Sequence, residues 1–265
     1  MKHIKKRFYL ERPLDDVHAD KNYKNVELVD LRSPNIKEKL KKSKKETVYY
    51  TKTDGTAYGG FICNIDGQTS VLPIPDPTLV YFDTAHWHLK QIKDRKRELK
   101  EKLDLNKELD ETGINQVYHF YAATSGFIIF LFTSIESFIN QQIPSDYVYK
   151  NVLPKRSELY TQEQIYFSVD FETKIKKVLP QVTGKMDYLA KVSEKTTRIL
   201  NLKHFRDEII HTKPETQVLN PEIHYEKLIT KSLNFDYSKT LDAVASFMNY
   251  YKPNYIIECN CGEEY

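Results

Sequence analysis

The stretch FYAATSGFIIFLFTSIESFI, residues 120–139, decides the expected fold class. It lies within a pattern from about Gly113 to Gln142 that is apolar nearly all round, which is typical of a helix at the centre of a helical bundle. Pro144 follows and predicts the end of this helix.

A membrane-spanning helix needs about 20 apolar residues. Polar side chains interrupt this run at Thr124, Ser125, Ser134 and Glu136. The sequence therefore predicts a buried core helix and no membrane partner.

Further helical patterns surround this core helix. A charged one runs from Asp83 or Thr84 to about Leu109, a second from about 187 to 211, and a last one from about 237 to Tyr251, before Pro253. Residues 145–168 carry no clear period, and 221–233 are ambiguous. The expected fold class is mainly α, a helical bundle over residues 83–252 followed by a tail over 253–265.

The first 82 residues have a different texture. Residues 1–46 are polar and carry a lysine-rich run, for which a solvated arm is favoured over a nucleic-acid contact. From Thr47 onward, short β-branched and aromatic runs flank the turn signals Asp54-Gly55 and Asp66-Gly67. Residues 1–82 are therefore predicted to form a polar arm and a small β-rich element.

Charge and cysteine content place few restrictions on function. Forty Lys and Arg residues against 37 Asp and Glu give a formal net charge of +3, which argues neither for nor against a nucleic-acid partner. Three cysteines cannot close a disulfide framework, and the charged start differs from a secretory signal. These features predict a cytoplasmic protein.

The segment LKHFRDEIIHTKP, residues 202–214, carries the strongest chemical signal. Asp207 and His211 are four residues apart, so on a helix the carboxylate can hold the imidazole in one tautomer. Arg206 lies about 140° from His211 around an ideal helix. A histidine and a guanidinium in this arrangement suit phosphodiester cleavage without a metal, through proton exchange and charge stabilisation. The alternative is ordinary surface electrostatics at a helix C-terminus.

Two segments resemble the HEPN (higher eukaryotes and prokaryotes nucleotide-binding) superfamily. Its signature is Arg, a polar residue, three to five further residues and His, and here Arg206, Asp207 and His211 match it. Residues 131–140, LFTSIESFIN, are similar to an earlier core helix of many bacterial members, in which a Glu-x-x-x-Asn pattern occurs. Glu136 and Asn140 stand at these two positions.

The resemblance implies a helical bundle that forms a homodimer through its motif helices. In catalytic members the two Arg–His sets face each other and cleave RNA, often as toxins or in anti-phage defence, with an antitoxin or a nucleotidyltransferase as partner. Other members lack nuclease activity. The leading hypothesis is a metal-independent endoribonuclease without a cofactor, and the alternative is a non-catalytic module that binds nucleotides or proteins.

The hypothesis gives each candidate residue a role. His211 is the general acid and base, Arg206 binds the phosphate and Asp207 orients His211. A carboxylate on an apolar helix needs a cation when buried, and Glu136 is therefore predicted to pair with Arg206. Positive charge near the RNA is assigned to Lys203, His204 and Lys213.

The remaining candidates are weaker. Cys259-x-Cys261 beside Glu258 resembles half of a metal site, and a tail with free thiols is favoured. His86 and His88 do not share a helical face, which favours packing. Residues 58–60, YGG, lack the strand–loop–helix context of a phosphate loop. No metal site is predicted.

Overall fold

The computed structural model describes residues 3–19, 26–30, 33–36, 38, 40, 47–104, 111–190, 193–211 and 222–260. The chain divides into two compact units. Lys6–Leu79 form the smaller unit, and Met1–Lys5 together with Val80–Tyr265 form the larger one.

Among the described residues, the smaller unit contains a five-stranded mixed sheet and the short helix α1. Its elements are β1 (Arg12–Pro13), α1 (Leu14–Ala19), β2 (Val26–Asp30), β3 (Thr47–Thr51), β4 (Thr56–Ile65) and β5 (Gln68–Pro73). The strand order is β1-β4-β3-β2, and β5 also pairs with β4. β2 is parallel to β3, whereas the other pairs are antiparallel.

Glycine turns and strand alternation explain this sheet. Gly55 and Gly67 adopt positive φ angles of 79° and 84° in the turns before β4 and β5, as glycine allows. The predicted turn at Asp54-Gly55 is thereby confirmed. Alternation along β3 places Tyr49 against Val17 of α1, whereas Tyr50 packs with Tyr58 in a separate cluster. Both faces of β3 are therefore buried.

The larger unit contains eight helices, a π-helical stretch and one hairpin among the described residues. They are α2 (Pro77–Lys102, which starts just before the unit boundary), α3 (Glu111–Gln142), β6 (Val148–Val152), β7 (Ser157–Thr161), α4 (Gln162–Ser168), α5 (Phe171–Thr173), the π-helical stretch Lys174–Val178, α6 (Leu179–Thr183), α7 (Glu194–Ile210), α8 (Glu222–Asn234) and α9 (Tyr237–Tyr251).

The expectation of a mainly α fold with a small β-rich element is wrong. Among the described residues 59% are helical and 18% lie in strands, which form two separate sheets. β2 arises within the predicted polar arm because it pairs with β3, about twenty residues later. β6 and β7 arise in the segment predicted to be irregular. Strand pairing between distant residues leaves little local signal, and the fold is mixed α/β.

Helix α3 is the centre of the larger unit. Its side chains Phe127, Leu131, Ile135 and Phe138 are completely buried, and the prediction of a buried core helix is confirmed. Phe127 contacts Tyr237 of α9, with ring centroids 5.1 Å apart. The rings of Phe132 and Phe138, also on α3, contact α5, α9 and the C-terminal segment. In the described part of the chain α3 alone has the length and apolar composition of a membrane span. Within the protein, 56% of the most apolar 18-residue stretch of α3 is buried.

Packing between α2 and α3 depends on the small size of Gly126. The His88 ring of α2 stacks on Phe130 of α3, with centroids 5.8 Å apart and planes 14° apart. A Cβ atom at Gly126 would overlap this imidazole. Burial lowers the pKa of His88, and the packing interpretation of this histidine is confirmed.

Gly126→Ala should therefore destabilise the protein, although alanine favours a helix over glycine by about 1 kcal/mol. Overpacking costs about 1–3 kcal/mol, which outweighs that gain while His88 is present. In a His88→Ala background the same change should become stabilising. Urea unfolding of the two single variants and the double variant measures this sign reversal, and an unchanged sign would contradict the contact.

Candidate functional site

Helix α7 carries the predicted site and is well defined at both ends. Ser193 forms a capping box with Thr196, and the helix starts at Glu194, later than the expected position near residue 187. His211 is the C-cap residue, with φ −100° and ψ 40°. Its backbone N–H donates to the Asp207 carbonyl over 2.9 Å. His211 is thus attached to the last helical turn but lies outside the regular helix.

Asp207 is the centre of a small ionic cluster on α7. Its carboxylate accepts from Lys203 Nζ at 3.0 Å and from an Arg206 terminal nitrogen at 3.1 Å. Burial raises the pKa of Asp207, but the hydrogen bonds and positive charges of Lys203 and Arg206 outweigh that effect and lower it. Asp207 is therefore held as a carboxylate that neutralises two cations.

The Arg206 guanidinium lies against the core helix. Its central carbon is 5.0 Å from the centroid of the Phe132 ring of α3, a distance at which a cation is attracted to an aromatic face. Phe132 also contacts Phe171 of α5, with ring centroids 4.7 Å apart. The Arg206 side chain is 29% exposed, so the cation is fixed at the surface without being enclosed.

The two histidines of the segment are both exposed. Within the described ranges neither imidazole forms a hydrogen bond with another side chain. The structure links His211 to Asp207 through the backbone, and the Asp207 carboxylate points to Lys203 and Arg206 instead of orienting the imidazole. Lys213 lies outside the described residues. The structure thus joins Lys203, Arg206 and Asp207 and places His211 at the end of the same helix.

Glu136 has a different cationic neighbour from the one predicted. The carboxylate paired with Arg206 is Asp207, whereas Glu136 acts electrostatically on Lys174. Lys174 is 7% exposed and opens the π-helical stretch. Its ammonium donates to the Tyr166 carbonyl at 2.8 Å. Burial lowers the pKa of Lys174, against the opposing influence of Glu136 and Asp170.

Sequence reasoning missed Lys174, and no local pattern distinguishes it from the other lysines of the KIKK run. Asn140, one turn beyond Glu136, receives a hydrogen bond from the Tyr166 hydroxyl on its backbone carbonyl at 3.3 Å. Its side-chain oxygen is buried without a hydrogen-bond donor among the described residues. Glu136 and Asn140 thus lie near Lys174 and Tyr166, and among the described residues the carboxylate that pairs with Arg206 is Asp207.

A second contact attaches α8 to the site helix. Lys231 Nζ donates to both carboxylate oxygens of Glu208 at 2.8 Å. It also lies 4.7 Å from the centroid of the Phe205 ring. Helix α8 therefore packs against α7 at Phe205 and Glu208.

The weaker sequence candidates form no site in the described part of the chain. No group of three or more metal-binding side chains occurs there. Cys259 is a partly buried free thiol, and Cys261 lies outside the described residues. Residues 58–60 lie inside β4, where the backbone is extended and does not form a loop around a phosphate.

No protein-family model, curated protein or solved structure matches the chain. The resemblance to the HEPN superfamily therefore rests on residues 131–140 and 205–211 alone. The case for a function depends on the geometry of α7 and its neighbours.

Double-mutant cycles should identify the cation that balances Glu136. Combining Glu136→Gln with Lys174→Met should give a coupling energy of about 0.5–3 kcal/mol, because neighbouring charges are not independent. Combining Glu136→Gln with Arg206→Ala should give a smaller coupling energy, because Arg206 pairs with Asp207. Urea unfolding measures the coupling energy in both cycles. A larger coupling of Glu136 with Arg206 than with Lys174 would instead support the predicted Glu136–Arg206 pair.

The Asp207 cluster should also make stability depend on pH. The lowered pKa means that Asp207 stabilises the fold above its unfolded-state pKa of about 3.9, and that this contribution is lost as the pH falls through the lower folded-state value. The difference in unfolding free energy between wild type and Asp207→Asn should therefore be largest near neutral pH and disappear in acid. Asp242→Asn, at an exposed site on α9, is the control. A difference that does not vary with pH would contradict the ion pairs.

Proposed function

We propose that this protein cleaves RNA without a metal ion, with Arg206 binding the scissile phosphate and His211 exchanging the proton. The supporting observation is that a guanidinium fixed on Phe132 lies near the C-terminal end of one helix and an exposed imidazole lies at the C-cap of the same helix. Both groups are accessible to a ligand from solvent.

Arg206 retains the capacity to bind a phosphate while it pairs with Asp207. A guanidinium has five N–H donors in a fixed fork, and the contact with Asp207 uses one terminal nitrogen. A phosphate can therefore take remaining donors in the bidentate manner that arginine favours. Lys203, which shares the Asp207 carboxylate, adds a second positive charge beside this position.

The proposed reaction is an internal transfer within RNA. The ribose 2′ oxygen forms a bond to phosphorus and the bond to the 5′ oxygen breaks, which gives a 2′,3′-cyclic phosphate and a 5′ hydroxyl. One base removes the 2′ proton and one acid protonates the 5′ oxygen. A homodimer, as the resemblance implies, would supply two His211 side chains for these two steps.

One observation favours the alternative, a non-catalytic module that binds nucleotides or proteins. Asp207 neutralises both Lys203 and Arg206, which is the arrangement of a stable surface network. In that case nucleic acid or a protein partner binds through the exposed histidines and Arg206, and no bond is broken.

Cleavage of labelled RNA in the presence of EDTA tests the proposal. His211→Ala should reduce the rate by about 10²–10⁴-fold, the usual contribution of general acid–base catalysis. His204→Ala removes an exposed histidine on the same helix that is assigned to RNA binding alone, and it should retain the wild-type rate at saturating RNA. Arg206→Lys should lose activity although it keeps the charge, because lysine cannot bind a phosphate bidentately.

Two results would remove the enzymatic proposal. One is equal cleavage by wild type and His211→Ala, which indicates a contaminating nuclease. The other is absence of cleavage by wild type on single-stranded and structured RNA alike. RNA binding that depends on Arg206 without any cleavage would support the binding module.

A further inference from the structure

The outer face of the β6–β7 hairpin carries several exposed apolar side chains. Its inner side carries Tyr149, which is buried in a cluster with Ile143, Ile165 and Val169. On its outer side Val148, Val152 and Leu159 are 50%, 71% and 65% exposed. An isolated two-stranded hairpin is only marginally stable in water, and exposed apolar strands commonly mark an interaction surface.

The hydrogen-bonding direction of the β7 edge follows from the turn. Leu153 N–H donates to the Arg156 carbonyl at 2.8 Å, so these residues form a hydrogen-bonded pair. Such pairs alternate along an antiparallel ladder, and Ser157, Leu159 and Thr161 therefore direct their backbone groups away from β6. The Thr161 N–H has this outward direction, since it donates to the Gln164 side chain at 2.9 Å. Leu159 at the centre of the strand has an outward N–H and C=O.

The two edges of the hairpin differ in how well they fit a second copy of themselves. Antiparallel self-pairing of β6 about its central residue would place Lys150 opposite Lys150, and directly opposed like charges are destabilising. Self-pairing of β7 about its centre places Leu159 opposite Leu159. Glu158 then faces Tyr160 of the second copy, and within one chain the Tyr160 hydroxyl already donates to Glu158 at 2.7 Å.

We propose that two copies of the protein associate through antiparallel pairing of their β7 edges about Leu159. The product is a four-stranded sheet in the order β6-β7-β7-β6, in which the exposed valine and leucine side chains of both hairpins share one face. This inference does not depend on the proposed RNA cleavage, and it involves a different surface from the α7 motif. A stable interface generally buries at least about 1,000 Å², so a short strand edge should give a reversible, concentration-dependent dimer.

A cysteine placed at the proposed two-fold axis tests the register directly. Hydrogen-bonded antiparallel pairs have Cα atoms about 5.5 Å apart, within the range of about 4.4–6.8 Å that a disulfide spans. Leu159→Cys should therefore form a covalent dimer on mild oxidation. Lys150→Cys, an equally exposed position directly opposite on the other strand, should stay monomeric. The unaltered chain measures any background from its native cysteines, and equal cross-linking at both positions would overturn the proposal.

Sedimentation of the unmodified protein over a range of concentrations provides the second test. Wild type should self-associate reversibly, and Leu159→Lys, which places two ammonium groups together, should remove this association step while its circular dichroism remains that of wild type. If wild type is monomeric at every concentration, or if wild type and Leu159→Lys have the same mass at every concentration, the proposal is wrong. A dimer that remains in Leu159→Lys uses another surface, such as α7, and the proposal then requires wild type to form a larger assembly.

Discussion

The contact between Phe132 and the Arg206 guanidinium connects the core of the larger unit to its candidate site. Phe132 lies on α3, the helix that other elements pack around, and is fixed from another direction by Phe171. A buried ring cannot move without disturbing close-packed neighbours. The position of Arg206 is therefore set by the core, while Asp207 limits the direction of its terminal nitrogens.

Part of the fold could be predicted from the sequence because the signals are local. The apolar pattern of α3 gives nearly the observed bounds, and α9 runs over Tyr237–Tyr251 as expected. The Asp54-Gly55 turn was predictable because its backbone conformation requires glycine. β2 could not be predicted, since its stability comes from a parallel neighbour remote in sequence. The β6–β7 hairpin was missed for a related reason: residues 148–161 alternate weakly, because Val148, Val152 and Leu159 are apolar but exposed.

The candidate site shows the same division between local and tertiary information. Arg206, Asp207 and His211 could be identified from their spacing, and the Lys203–Asp207 pair follows from ordinary (i, i+4) geometry on a helix. The cation beside Glu136 could not be identified, because Lys174 comes from a π-helical stretch that its own sequence does not indicate. The backbone link between His211 and Asp207 also differs from the predicted side-chain contact, since the helix ends just before the histidine.

The central functional claim is that Arg206 and His211 act at the same phosphodiester. An NMR titration with a short 2′-O-methyl oligoribonucleotide, which cannot react, tests it most directly by following the side-chain signals of both residues. The account predicts that the Arg206 guanidinium and the His211 imidazole shift together, with one dissociation constant, and that His204 shifts less. Signals that stay unchanged, or that move with different affinities, would contradict a shared phosphate site.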